Sequence, residues 1–201
     1  MIRSARAEDA AAIAAIYRPY VEKTAITFEE SPPDAAAMAE KIQHVGSVFP
    51  FLVYEEGGPE GKEILGYAYA TRYRERAAYR WSLEDSVYLR EDAQGRGLGR
   101  LLLTALLELL RELRYIKVYA VITPPNPASI ALHERLGFTS LCRFTDTAFK
   151  LGSWQAIDWM EATLCDPTSF PPGVPPPEPI EFPEFALRSP ERLAAILAGR
   201  A

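Results

Sequence analysis

Cysteine is scarce: the 201-residue chain has two, Cys142 and Cys165, and neither belongs to a CxxC pair. A disulfide framework or a zinc site needs more ligands than that, so both read as reduced, partly buried thiols and no metal is expected. Positive charge is in deficit too, with 22 Lys and Arg against 27 Asp and Glu and a formal net charge of -5. Proteins that bind nucleic acid usually present a basic surface, so no nucleic-acid partner is expected. Long apolar runs are also missing. The most apolar stretch, Leu101 to Leu110, is interrupted by Thr104 and Glu108, far short of the ~20 residues that span a bilayer. The opening Met1-Ile2-Arg3-Ser4-Ala5-Arg6 lacks the form of a signal peptide, which leaves the cytoplasm as the expected location, with no membrane association. What the chain does hold is 48% apolar and 24% charged residues, the balance of a soluble globular protein with room for one core.

Periodicity orders that material. Ile2 opens a short strand, and Ile13, Ile16, Tyr17 and Tyr20 recur at helical spacing between Glu8 and about Val21. Ile26-Thr27-Phe28 is β-prone, and Ser31-Pro32-Pro33-Asp34 gives a turn and an N-cap for a helix through Met38 and Ile42 to about Gly46. Phe49 to Glu55 and Ile64 to Tyr73 read as strands, joined by a hairpin loop at Gly57-Gly58-Pro59-Glu60-Gly61. Ser86 to Arg90 is a strand, followed by a glycine-rich loop and a leucine-rich helix to about Leu113. Lys117 to Ile122 is a buried strand, and a short helix runs from Pro127 to a C-cap at Gly137. Phe138 to Lys150 and Ser153 to Leu164 close the domain as strands. Helices inserted among mostly hairpin-linked strands predict one α+β domain over residues 1–165.

Residues 166–201 change character. Prolines at 167, 171, 172, 175, 176, 177, 179 and 183 predict no regular helix or central strand there. Pro190 to Arg200 reads as a terminal helix with Leu193, Ile196 and Leu197 on one face. Phe170, Phe182 and Phe185 favour docking, on this chain's own domain or on a second subunit, over a free tail.

The segment Gln94-Gly95-Arg96-Gly97-Leu98-Gly99-Arg100 stands between a strand and a long helix. Glycines let the backbone turn tightly and approach a ligand, while the first helical turn offers unpaired N–H groups to an anion. A dinucleotide fingerprint needs a third glycine where Arg100 stands, and a Walker loop needs Gly-Lys-Ser/Thr. Neither is present. The pattern Q-x-x-G-x-G resembles the acyl-CoA loop of the GNAT superfamily of N-acetyltransferases. Downstream, Asn126-Pro127-Ala128-Ser129 through Leu132-His133-Glu134-Arg135-Leu136-Gly137-Phe138 is similar to that superfamily's N-x-x-S/A helix ending in L-G-F. Trp81-Ser82-Leu83-Glu84-Asp85-Ser86-Val87-Tyr88 and Phe149-Lys150-Leu151-Gly152-Ser153-Trp154 narrow the resemblance to the phosphinothricin N-acetyltransferase branch. It runs from Ile2 to about Glu161 and spares the Pro-rich tail.

The resemblance implies a GNAT-like mixed, mostly antiparallel sheet flanked by helices on both faces. It implies acetyl-CoA as co-substrate, a small-molecule amine as acceptor and a homodimer with active sites near the subunit contact. Gln94, Gly95, Arg96, Gly97, Leu98, Gly99 and Arg100 would cradle the pyrophosphate, with Asn126 and Ser129 also on the cofactor side. Backbone groups of Val87, Tyr88 and Leu89 would meet the acetyl arm. Most GNAT enzymes place a tyrosine acid seven residues after the asparagine; here that position is His133.

Amide formation from a thioester requires a neutral amine, a polarised carbonyl and a proton for the leaving sulfur. Glu84, on the branch's W-x-x-E pattern and just ahead of the predicted strand, is the candidate base; Asp85 beside it is the residue with which it is most easily confused. His133, with an ordinary pKa of about 6.5, suits protonation of a thiolate whose thiol has a pKa of about 8.5, and equally a relay of the amine's proton. Cys142 has no adjacent base, so no covalent acyl-enzyme is expected. Arg74, Arg76 and Tyr79 match acceptor-pocket positions of the phosphinothricin enzymes, where arginine's planar fork suits carboxylate and phosphinate oxygens. Phe28 is carried over as a residue that closes the pocket. Arg72 and Arg80 read as a solvated strand end. Two other readings stay open: a GNAT enzyme for a different small amine, and a non-catalytic CoA-binding module.

Overall fold

Helix α1, Ala10–Lys23, follows a single 3-10 turn at Ala7–Asp9 and buries Ile13, Ile16, Tyr17 and Val21 along one face. Helix α2, Ala35–Gly46, begins where the Asp34 carboxylate accepts the Ala37 N–H at 2.8 Å and buries Met38, Ile42 and Val45. The computed structural model describes residues 1–58 and 61–199, so Pro59 and Glu60 of the expected hairpin loop, and Arg200 of the expected last helix, lie outside the described residues. Between α1 and α2 the β-prone Ile26-Thr27-Phe28 is not a strand. Local side-chain bonds win over extension there: the Thr24 hydroxyl donates to the Tyr20 carbonyl, the Ile26 N–H donates back to Thr24, and Glu29 N–H donates to the Thr27 hydroxyl.

Seven strands form one sheet: β1 Ile2–Ser4, β2 Phe51–Gly58, β3 Gly61–Arg72, β4 Ser82–Leu89, β5 Lys117–Ile122, β6 Thr139–Lys150 and β7 Ser153–Thr163, in the order β1-β2-β3-β4-β5-β7-β6. Strand β4 starts four residues earlier than the sequence suggests, so Glu84 and Asp85 lie within it rather than ahead of it. Every pairing is antiparallel except β4 with β5. A parallel pair needs a crossover, and helix α3, Leu98–Glu112, supplies it. Helices α1 and α2 lie on the face of Tyr67, Tyr69 and Tyr88, where the Tyr17 and Tyr88 rings meet edge to face at 4.9 Å. Helix α3 covers the other face, where a Cβ on Gly66 would sit 3.4 Å from Leu102. The mixed α+β architecture with helices on both faces thus follows from alternating apolar residues along β3.

β4 and β5 pair only at Ser82–Lys117, Leu83–Val118 and Glu84–Tyr119. Beyond that rung they part, and Asp85 to Leu89 have no partner on that side. At the sheet's far edge, β6 pairs with β7 alone, and Leu141, Phe144, Phe149, Leu151 and Trp154 of this hairpin are exposed. Both thiols are exposed as well, correcting the expectation of partial burial: Cys142 stands on that edge strand and Cys165 follows β7.

The Pro-rich tail carries one helix more than its composition suggests. Helix α5, Phe182–Arg188, has Pro183 in its first turn, where a missing N–H costs nothing. Helix α6 spans Pro190–Leu197. Phe182, Phe185 and Ile196 are buried in the same core as the sheet and α3. The Ile180 N–H donates to the Leu113 carbonyl, the Phe182 N–H to the Val48 carbonyl, and Arg192 pairs with Glu112 at 2.8 Å. Phe185→Ala is expected to lower the unfolding free energy by about 3–5 kcal/mol, measured by urea denaturation. A loss below about 1 kcal/mol, the range of a surface change, would place the tail outside the cooperative core.

Candidate active site

The turn into α3 is built on backbone conformations that L side chains avoid. Gly95 has φ +74 and Gly97, the residue capping the helix, has φ +80. The two glycines leave the first-turn N–H groups of α3 open to an anion. Gly99 has a different reason: a Cβ there would come within 3.2 Å of Leu132, so it allows α3 to pack against helix α4, Pro127–Arg135. Two members of the predicted loop point elsewhere. The Leu98 side chain is buried with Leu65 and Ala93, and Arg96 reaches out to Glu56 at 2.7 Å.

From this turn a cavity of about 650 Å³ runs along the gap between β4 and β5. Gln94, Gly95, Gly97, Gly99, Arg100, Val87, Tyr88, Leu89, Asn126, Ser129 and His133 all border it. The structure therefore brings together the loop, the unpaired half of β4 and α4, which are far apart in sequence. The direction of the β4 peptide groups follows from alternation. The Trp81 carbonyl accepts from β5, and the Arg90 N–H donates to β3, so residues 83, 85, 87 and 89 turn their peptides to the gap. Tyr88 faces β3 with its backbone. Leu89 is already occupied, since the Tyr20 hydroxyl donates to its carbonyl at 2.6 Å and accepts the Gln94 amide at 3.1 Å. The Glu84–Tyr119 rung takes the Leu83 carbonyl and the Asp85 N–H, which leaves the Val87 N–H as the open backbone donor in the gap among the described residues. Tyr20 was absent from the expected site because its contact spans 69 residues of sequence.

The acid–base residues fall on opposite sides of β4. Asp85 shares the gap-lining side with His133, whose Nε2 is 3.0 Å from Asp85 Oδ2 and whose Nδ1 is 2.8 Å from the Ser129 carbonyl. Asn126 caps α4 by accepting the Ser129 N–H at 3.2 Å, which fixes the turn that presents that carbonyl. His133 is only 3% exposed. Burial works against a charged ring, but the hydrogen bond and charge of Asp85, helped by the Ser129 carbonyl, raise its pKa above the usual value. Glu84 is half-buried on the other side, at the last paired rung of β4 and β5. Burial pushes its carboxyl above the ordinary value; the charge of Arg74 opposes the shift and that of Asp85 adds to it.

The acceptor candidates lie beyond the end of β3. Arg74 leans over the Tyr73 ring at 4.9 Å, and Tyr73 meets Tyr79 edge to face at 5.6 Å. Arg76 and Tyr79 are exposed beside them. Arg80 stacks on Trp81 and pairs with Glu178 of the tail, while Arg72 lies over Phe49. Phe28 is exposed on the irregular segment after α1, next to Thr27, whose carbonyl accepts from Lys150 Nζ at 2.6 Å. None of Phe28, Arg74, Arg76, Tyr79 and Glu84 borders the β4–β5 cavity itself.

The model of the acetyltransferase (GNAT) domain matches residues 2–159. A phosphinothricin N-acetyltransferase of Alcaligenes faecalis is 40% identical over 155 residues, 76% of this chain and 77% of that protein. An L-methionine sulfoximine/L-methionine sulfone acetyltransferase of Pseudomonas aeruginosa is 36% identical over 172 residues, 85% of this chain and 98% of its own. Among solved structures, a GNAT superfamily phosphinothricin acetyltransferase from Sinorhizobium meliloti in complex with AcCoA superposes with a TM-score of 0.80 at 36% identity. That match covers 92% of this chain and 96% of the other.

Proposed function

Since the chain belongs to the GNAT acetyltransferase family and is an acetyl-CoA-dependent N-acetyltransferase, we propose that it acetylates the amine of a phosphinothricin-like or methionine sulfoximine-like amino acid. The observation that carries this reading is the arginine-rich segment at one end of the β4–β5 gap, with Arg74 close enough to Glu84 for its charge to bear on that carboxylate. A guanidinium there suits the acid groups of such an acceptor, and relatives of two kinds, named for phosphinothricin and for methionine sulfoximine, point to the same class. Arg74, Arg76 and Tyr79 hold the acceptor, and Phe28 closes over it. At the other end the N–H groups of the Gln94–Arg100 turn receive the pyrophosphate, and Asn126 and Ser129 border the pantetheine arm. The Val87 peptide polarises the thioester carbonyl. This set fits acetyl-CoA, because it offers open backbone donors and an elongated cavity.

In the reaction, Glu84 takes a proton from the ammonium directly or through water, and the amine lone pair attacks the thioester carbon. The tetrahedral intermediate gives up the nitrogen's second proton to solvent and collapses, the C–S bond breaks and the sulfur takes a proton from His133. Base and acid need not touch. Attack from one side of the thioester and departure on the other match their placement on opposite sides of β4. The catalytic unit is residues 1–165, with 166–201 as a strap on it. A second copy covers the exposed Phe144, Phe149 and Trp154 of the β6–β7 hairpin, since an unpaired apolar edge in water favours a partner.

Steady-state kinetics with phosphinothricin, methionine sulfoximine, methionine sulfone and the common amino acids test the substrate class. Turnover concentrated on the first three is expected, and none with any of them would end this reading. Glu84→Gln should lower kcat by about 10²–10⁴-fold with acetyl-CoA affinity unchanged; equal loss of both would make Glu84 a structural residue. Analytical ultracentrifugation should give twice the chain mass, and a monomer at assay concentration would remove the second copy from the scheme.

A further inference from the structure

Asp85 was not among the expected site residues, yet among the described residues it is the one carboxylate in contact with His133. The two ring nitrogens have unlike neighbours that share one property. Nδ1 lies 2.8 Å from the Ser129 carbonyl, a group that only accepts, and Nε2 lies 3.0 Å from a carboxylate oxygen. The Ser129 hydroxyl is farther from Nδ1, at 3.3 Å. A neutral imidazole carries one N–H, so one nitrogen lone pair would face an oxygen lone pair at hydrogen-bond distance. The imidazolium satisfies both contacts. A buried cation is stable only when paired and hydrogen-bonded, and the Asp85 side chain, 1% exposed, provides that pairing.

A second observation sets this pair apart from a structural ion pair. Asp85 Oδ1 is buried with no hydrogen-bond partner among the described residues, and Asp85 stands in the wall of the β4–β5 cavity. Buried carboxylates that serve the fold alone are normally satisfied at both oxygens. The charged groups on the elements packed around the ring are few. Arg100 on α3 and Arg135 on α4 line the same cavity, and Glu134 is exposed on α4. β5 contributes Ala120, Val121 and Ile122, none of which titrates, and the Phe138 ring packs against His133 edge-on at 4.9 Å.

We propose that Asp85 is a positioning residue for the transfer: it holds His133 as an imidazolium, with Nε2–H donated to the carboxylate and Nδ1–H to the Ser129 carbonyl, so that the ring has no free lone pair with which to take the amine's proton. The proposal rests on the reading of His133 as a residue of the transfer site and removes relay of the amine's proton from its two open roles. Substrate class does not enter it, so an inactive substrate panel would leave it standing.

The chain has two histidines, His133 and the exposed His44 on α2, so side-chain nitrogen NMR of the full-length protein resolves the question, with His44→Gln to assign the signals. In the unsubstituted protein His133 should carry protons on both nitrogens at neutral pH and lose one only above the ordinary imidazole value of about 6.5. Asp85→Asn should lower the His133 proton affinity by at least tenfold and move the alkaline limb of kcat to lower pH by the same factor. A single-proton imidazole at neutral pH in the unsubstituted protein would overturn the proposal. So would an Asp85→Asn protein, folded by near-UV circular dichroism, whose His133 titrates as before. Should Asp85→Asn fail to fold, the first measurement decides alone.

Discussion

The parting of β4 and β5 after the Glu84–Tyr119 rung is the constraint on which the rest of the molecule depends. Parallel strands need a crossover, and α3 provides it from the glycine turn. The helix therefore starts where β4 ends, and its open N–H groups look along the gap the strands have just made. A continued ladder would have consumed the peptide groups of Asp85, Val87 and Leu89. Interrupting it leaves most of them to other partners: the last rung still takes the Asp85 N–H, Tyr20 takes Leu89, and the Val87 N–H opens on the cavity. The sheet gives up a few hydrogen bonds, each worth about 0.5–1.5 kcal/mol net, and the lost pairing becomes a cavity. The glycines at 95 and 97 follow from the same constraint, because the chain must reverse sharply at the mouth of the gap.

Two neighbouring carboxylates show how much a strand can do with alternation alone. Glu84 and Asp85 differ by one methylene and one position, yet they meet different surroundings on opposite sides of β4. Glu84 is half-buried within reach of the Arg74 charge, and burial raises its pKa. Asp85 is closed in against His133, and the positive ring is its compensation. One strand thereby places a carboxylate on each of its two sides, with a different neighbour for each. Here the separation is imposed by the period of two, which no amount of side-chain rotation would reproduce on a loop.

Local rules explain what could be read in the sequence. The positive-φ glycines, the Asp34 cap, the Gly137 stop and the helix carrying His133 are all signalled within a few residues, and the α+β class follows from periodicity. The failures are equally physical. Placing the start of β4 at Ser86 treated Glu84 and Asp85 as residues ahead of the strand and hid the fact that they face opposite ways. Thr27 looked β-prone, but its hydroxyl and that of Thr24 hold the backbone in an irregular course. Pro183 was counted against a helix although the first turn tolerates it. Tyr20 could not be found, because its partner is Leu89, in a strand reached only after α2, β2 and β3.

The tail bears on the same geometry. Its extended part crosses the start of β4, where the Trp81 indole N–H donates to the Pro177 carbonyl at 2.9 Å and Arg80 pairs with Glu178 at 3.2 Å. Trp81 also supplies the carbonyl that accepts from Ile116 and Lys117 and opens the β4–β5 pairing. The few rungs that precede the gap are therefore bordered on one side by the tail. A three-rung parallel ladder is short for a pair that must hold its divergence fixed, and exposed ion pairs such as Arg80–Glu178 add little. The buried Phe182, Phe185 and Ile196 add far more, by about 1.5–3 kcal/mol each for full burial. They tie the tail to α3, the helix whose first turn opens on the cavity. Both ends of the gap, the paired rungs and the glycine turn, thus belong to elements that the tail holds from outside.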